Sequence, residues 1–245
     1  MIQANCRANF TADDFSFIRE TLAKDLQNKV ALGELLTDEE MRDDILDHDE
    51  LFRRVLESKG FTRISPYLYF YVLSRRVLLE NKINDRQMAD YIGSLLAEFG
   101  STNRVFSPSR HHDSQYHYLV DMLNDFIDAS SWEAFLLRSH LGNYALFMTG
   151  MFPDYIYRKA TYGHKVPGFE YYEKMGSSSY QWAAQHKYAA RYRLVETLSN
   201  LAAMFRQVRI ALNKLADEYI VLDEKPDNMD KMLRKIFFGD SDLIN

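Results

Sequence analysis

Eight apolar residues near the C-terminus alternate spacings of four and three, and no other feature constrains the fold as strongly. They are Leu194, Leu198, Leu201, Phe205, Val208, Leu212, Leu215 and Tyr219. This spacing places them on one stripe of an α-helix, which packs lengthwise against a partner helix. We therefore predict an all-α, mostly antiparallel helical bundle with one long C-terminal heptad-patterned helix. The same stripe would also suit a homo-oligomer, in which case the protein would be a structural scaffold.

A second helix is predicted from Ser65-Pro66, because serine is a good N-cap and proline fits the first helical position. The sequence that follows, YLYFYVLSRRVLLE, is apolar on every side over its first seven residues. Such a helix belongs at the centre of the bundle. The Tyr and Phe residues leave a strand as the alternative.

Three capping-box patterns mark further helix starts. In each, a hydroxyl residue is followed three positions later by a carboxylate: Thr11 with Asp14, Thr37 with Glu40, and Ser130 with Glu133. His48 follows Met41 by seven positions and shares its apolar stripe. We expect His48 to be a hydrogen-bonded histidine of the core.

The size of the chain suits a single domain, since 245 residues at 47% hydrophobic content can bury a substantial core. We predict one domain over 1–245, or a two-helix lobe over 1–57 that ends near 58–65. Cys6 is the only cysteine, which excludes an intrachain disulfide and a cysteine-rich zinc site. The sequence shows neither the apolar core of a signal peptide nor a membrane-spanning run, so we expect a soluble, cytoplasmic protein.

Two motifs carry a resemblance. LGNYALFMTG with F and P at 141–153, paired with EYYEKMGSSSY at 170–180, resembles a family of helical bacterial proteins of no known function. FTADDFSFI, LTDEEMRDDILDH and SPYLYFYVLSRR are similar to the same group, so the resemblance spans most of the chain. It implies a helical fold and a bacterial protein. It assigns no activity and no site residue.

The segment 138–193 differs in charge from the rest of the chain. It holds eight Lys or Arg against three Asp or Glu, a formal charge of +5, whereas the remaining residues carry −10. It also contains five of the ten glycines and many tyrosines. We therefore look for a binding site in this segment.

Within this segment we predict an anion site. Gly176 and the three serines after it are expected to precede a helix, whose N-terminal N–H groups attract anions. The candidate ligand-binding residues are Arg138, His140, Arg158, Lys159, His164, Lys165, Tyr172, Ser177, Ser178 and Ser179. A simple serine N-cap beside solvated charges would explain the same pattern.

A metal site is the second candidate. Asp113, His117 and Asp121 follow one helical stripe, with His111 and His112 at its start, and these side chains can bind divalent ions. A solvated acidic helix face explains the pattern equally.

The sequence thus predicts a helical protein that captures an anionic small molecule or an acidic partner segment through 138–193. A metal-dependent hydrolase using 111–121 and an oligomeric scaffold are the alternatives. The net charge of −5 argues against nucleic acid as a partner of the whole chain, although a local basic patch could still bind it. No cofactor is indicated, and the residues do not decide whether the protein is an enzyme.

Overall fold

The computed structural model describes residues 1–58, 63–100, 105, 107–108, 129–162 and 168–220. This part of the chain contains α-helices and no strand, which confirms the all-α class. In the described ranges, no helix is both long enough and apolar enough to cross a membrane.

Twelve α-helices lie in these ranges. They are α1 (Ala12–Leu22), α2 (Leu26–Leu35), α3 (Glu39–Leu46), α4 (Asp49–Glu57), α5 (Pro66–Glu80), α6 (Arg86–Phe99), α7 (Ser131–Met151), α8 (Pro153–Tyr162), α9 (Phe169–Gln185), α10 (Lys187–Arg191), α11 (Val195–Ala203) and α12 (Phe205–Lys214). A short 3₁₀ turn at Arg7–Asn9 precedes them and a π turn at Leu215–Tyr219 follows.

Two of the three predicted capping boxes are confirmed. Thr11 caps α1 and Ser130 caps α7, and in both the carboxylate three residues later accepts from the cap's own backbone N–H. The box at Thr37 is wrong, because Asp38 caps α3. The Thr37 hydroxyl instead donates to the Glu34 carbonyl, at the end of α2.

The described chain divides into two compact units. The N-terminal unit consists of the described residues within Ala4–Ala97, and the C-terminal unit consists of the described residues from Glu98 to Ile220 together with Met1–Gln3. The predicted single domain and the lobe over 1–57 both stay predictions.

Helix α5 forms the core of the N-terminal unit. Ser65 caps it, Pro66 opens it, and Leu68–Arg75 are all buried. The helix prediction for this stretch is therefore confirmed, and the strand alternative is wrong.

Buried charges link distant parts of the N-terminal unit. The Arg7 guanidinium pairs with Asp43 and with Asp90, and the Arg7 backbone N–H donates to Asp90 at 2.8 Å. Arg75, also buried, donates twice to Asp47 at 2.8 Å. Because a buried charge is costly without a partner, these pairs fix which helices meet.

Cys6 is buried in the same unit. Its thiol donates to the Tyr67 carbonyl at 3.1 Å. Burial, with the nearby Asp90 carboxylate, raises the pKa of Cys6 well above its ordinary value. The thiol is therefore held in its protonated, unreactive form.

Helices α7 and α9 pack antiparallel at the centre of the C-terminal unit. Gly142 lies against the Tyr180 ring, while Ala145, one turn further along α7, lies near Gly176 of α9. The Tyr180 hydroxyl donates to Asn143 at 2.8 Å, which satisfies both buried polar groups. The GNYAL and MGSSSY motifs therefore have a packing role in this helix pair.

The predicted C-terminal heptad helix is not confirmed as one element. Seven of its eight seam residues are buried, Leu194 to Leu215 in register, and Tyr219 is half-buried. The helix is nevertheless divided at Met204, where α11 ends and α12 begins. Periodicity thus predicted the buried stripe correctly and the continuity of the helix incorrectly.

Candidate functional site

The serine triplet does not lie at the start of a helix. Helix α9 begins at Phe169 with Gly168 as its cap, so Ser177–Ser179 fall in the middle of the helix. The Ser177 hydroxyl donates to the Ala202 carbonyl and the Ser178 hydroxyl to the Met175 carbonyl. Ser179 is fully buried. The predicted anion site at a helix N-terminus is therefore wrong in its location, because the backbone N–H groups there already serve the helix.

The other candidate residues that the structure describes lie on α7, α8 and α9. His140 is buried on α7, and the centroid of its ring lies 5.6 Å from that of Phe99. Tyr172 is buried on α9, and burial raises the pKa of its hydroxyl to about 12. Arg158 is exposed on α8. His164, Lys165 and the side chain of Lys159 lie outside the described residues. Whether any of them binds a ligand stays a prediction.

Arg138 leads to a different surface. Because α7 and α9 are antiparallel, the start of α7 meets the end of α9 and the short α10. The rings there are Trp132, Phe135, Trp182, His186, Tyr188 and Tyr192, and the cations are Arg138, Lys187, Arg191 and Arg193. We call these ten residues the aromatic–basic surface. It includes both tryptophans of the chain.

The rings form one connected cluster. The centroid of the Trp132 ring lies 4.9 Å from that of Tyr188 and 5.5 Å from that of Tyr192. The His186 ring stacks on Trp182 at 5.1 Å and on Tyr188 at 5.3 Å. Phe135 is buried beneath them, while Trp182 stays 37% exposed. The other rings are half-buried, so the cluster presents aromatic carbon to solvent.

Two of the cations of this surface lie over its rings. The Arg138 guanidinium lies 5.6 Å from the Trp182 ring centroid, and the Lys187 amine lies 5.4 Å from that of Tyr188. Partial burial lowers the pKa of Arg138. Lys187, Arg191 and Arg193 are exposed, and no carboxylate in the described ranges pairs with any of them. The surface therefore carries positive charge that the described chain does not neutralise.

His186 is held in one tautomer. Its Nδ1 accepts the Tyr188 backbone N–H at 3.4 Å, which caps α10, so Nδ1 carries no proton. The proton of the neutral ring is then on Nε2, which lies 3.2 Å from the Ser131 hydroxyl and donates to it. Partial burial, with the nearby charge of Lys187, lowers the pKa of His186 and favours this neutral form.

This tautomer argues against a Ser–His nucleophile. A catalytic histidine must accept the serine proton at Nε2 while a third group orients Nδ1–H. In His186 the roles are reversed, because Nε2 carries the proton and Nδ1 accepts a hydrogen bond. The arrangement fits a structural link between α7 and α10.

The metal candidate is not addressed by this geometry. Residues 111–121 lie outside the described ranges, and in the described ranges no three His, Cys, Asp or Glu side chains come together as metal ligands. The metal-dependent hydrolase stays a prediction.

The sequence predicted a binding site in the segment 138–193, but most residues of this surface were not among its candidates. A usable signal was present in HKYAARYR at 186–193, where rings and cations alternate and no acid occurs. Trp132 could not have been assigned to it from sequence, because only the α7–α9 packing brings it there.

Comparisons with family models, with curated proteins and with solved structures found no match to this chain. The aromatic–basic surface is therefore interpreted from its own chemistry.

Proposed function

We propose that the protein is a binding module that captures an anionic partner through the aromatic–basic surface. The observation that supports this is the set of three exposed cations, Lys187, Arg191 and Arg193, without carboxylate partners in the described ranges and beside a cluster of six rings. Uncompensated positive charge raises the local concentration of anions and speeds their association. Aromatic rings and arginines supply most binding energy at recognition surfaces.

The proposal moves the predicted site along the same segment. Arg138 remains in it, while the serines and His140 belong to helix packing. The ligand classes stay those of the sequence prediction, an anionic small molecule or an acidic partner segment.

A charge-reversal pair tests the proposal. Lys187→Glu with Arg191→Glu should abolish retention on immobilised heparin, used as a generic polyanion, in low salt. Lys174→Glu with Arg206→Glu is the matched control, because it changes the net charge equally at exposed positions outside the surface. The control should elute like the unmodified protein, and melting temperatures should barely change in either variant.

Equal loss in both variants would show a nonspecific charge effect and overturn the proposal. Loss only in Arg158→Glu with Lys159→Glu would instead place the site where the sequence first suggested. An unmodified protein that is not retained at all would also contradict the proposal.

A further inference from the structure

The order of residues along 186–193 says more about the partner than the positive charge of the surface does. His186, Lys187 and Tyr188 run ring, cation, ring, and Arg191, Tyr192 and Arg193 run cation, ring, cation. Protein interfaces concentrate aromatic residues in a core with charges at the rim. Along 186–193, the two kinds of group alternate in the sequence instead, and in the structure Arg138 lies over the Trp182 ring and Lys187 over the Tyr188 ring.

We infer that the anionic partner is a single-stranded nucleic acid, an inference that rests on the proposed function. A single strand alternates phosphates with planar bases, and each base has a face that can stack on an aromatic ring. A duplex covers those faces by stacking the bases on one another, and an acidic peptide has no regular array of rings. Only the single strand matches both components of the surface in alternation.

The geometry supplies positions for both components. Trp182 is the most exposed ring, and the His186 ring and the Arg138 guanidinium both contact it. Lys187, Arg191 and Arg193 are exposed cations that can attract phosphates, and arginine also stacks on bases. The half-exposed ring of Tyr188 contacts both Trp132 and His186. It therefore connects the two ends of the cluster.

The overall acidity of the chain does not oppose this partner. The acids are concentrated elsewhere, with eight of them in 37–50 against Arg42 alone. At physiological ionic strength, exposed charges are screened beyond about 8 Å. Local charge therefore decides whether a strand binds, and binding should weaken steeply as salt rises.

The test compares two strands of equal charge. A labelled oligothymidylate is titrated with the full-length protein alongside an abasic oligonucleotide of the same length, which keeps the phosphates and lacks the bases. Stacking should make the oligothymidylate bind about tenfold tighter or more. It should also quench the tryptophan fluorescence, while the abasic strand should not.

Two variants locate the contact. Trp182→Leu and Tyr188→Leu keep apolar bulk and remove a stacking face, so each should weaken oligothymidylate binding and leave abasic binding unchanged. Tyr157→Leu removes an exposed tyrosine from α8, outside the surface, and should bind normally. Circular dichroism would verify that all three variants stay folded.

The outcomes separate the two claims. Equal affinity for both strands, tighter binding of a duplex, or tighter binding of a polyglutamate peptide would overturn the nucleic-acid inference and leave the anion-binding proposal standing. Unchanged binding in both Leu variants would also overturn the inference. Failure of every polyanion to bind in low salt would overturn both.

Discussion

Lys82 and Arg193 adopt positive φ angles, of 62° and 56°. Each lies just after the end of a helix. Its own backbone N–H and that of the next residue donate to carbonyls of the last helical turn. After α5, the Lys82 N–H donates to Leu79 and the Ile83 N–H to Leu78. After α10, Arg193 and Leu194 repeat the pattern with Ala190 and Ala189. This is the Schellman motif, in which glycine is the usual residue because the left-handed region costs other residues energy.

We expect Lys82→Gly to raise the free energy of unfolding by about 1 kcal/mol, because glycine relieves the left-handed strain. Urea denaturation followed by circular dichroism measures it. Lys82→Ala is the control, since it removes the same charge and keeps a Cβ at positive φ. Equal stabilisation by both variants would mean that charge, not backbone conformation, is responsible.

Gly142 shows the opposite dependence on a missing side chain. A Cβ at this position would lie 2.6 Å from the Tyr180 ring. Gly142→Ala should therefore lower the free energy of unfolding by about 1–3 kcal/mol. Gly33→Ala in α2 is the matched control, because its nearest neighbour would be 3.6 Å away and alanine favours a helix by about 0.5–1 kcal/mol. If Gly142→Ala left the free energy of unfolding unchanged, α7 and α9 would be able to move apart at little cost.

Single residues were the hardest features to predict from the sequence. His48 was expected in the core but is exposed, and its Nδ1 accepts the Glu50 N–H at the start of α4. A helical stripe describes only a helix that continues, and here α3 ends at Leu46. A cap residue follows local backbone geometry, which periodicity does not contain.

At the scale of elements, the apolar spacing in the sequence predicted which residues are buried better than it predicted where helices begin and end. The Ser65-Pro66 start and the seam from Leu194 to Leu215 were correct because they depend on sterics and apolar area. No glycine or proline lies near Met204 to indicate that the helix is divided there. A helix can bend there while the seam residues on both sides stay buried, so the spacing is the same with or without the break.

Charged pairs differ greatly in how much they stabilise the fold, depending on their burial. We expect Asp90→Ala to cost about 3–5 kcal/mol of unfolding free energy, because it leaves the buried Arg7 charge short of a partner and the Arg7 N–H unbonded. Glu57→Ala breaks the Arg54–Glu57 pair, whose side chains are 50% and 64% exposed, and should cost less than about 1 kcal/mol. Urea denaturation compares the two. Similar costs would contradict a structural role for the buried network.

For the whole molecule, the sequence predicted the helical class but not the division into two units. The sequence predicts two helices with good caps over 1–57, and nothing in that pattern shows what they pack against. The structure supplies the missing contacts: Arg7 pairs with Asp90, Asp14 accepts from Ser65, and Asp47 accepts from Arg75. The aromatic–basic surface was hidden for the same reason, since it joins residues some fifty positions apart.

These contacts predict how fragments behave. Residues 4–97 expressed alone should be helical and melt cooperatively, because the buried ion pairs of the N-terminal unit are complete within them. Residues 4–57 should not, because Arg7, Asp14 and Asp47 lose partners that lie beyond residue 57. Far-UV circular dichroism during heating distinguishes the two fragments. A cooperative melt of 4–57 would instead support the lobe suggested by the sequence.

Labelling of the buried Cys6 thiol can measure how often the N-terminal unit opens in the native protein. It is the only thiol of the chain, so a sulfhydryl reagent has a single target, and it can reach that target only during an opening of the N-terminal unit. The ratio of the labelling rate in the native protein to that in an unfolded peptide then gives the equilibrium constant for the opening, without denaturant.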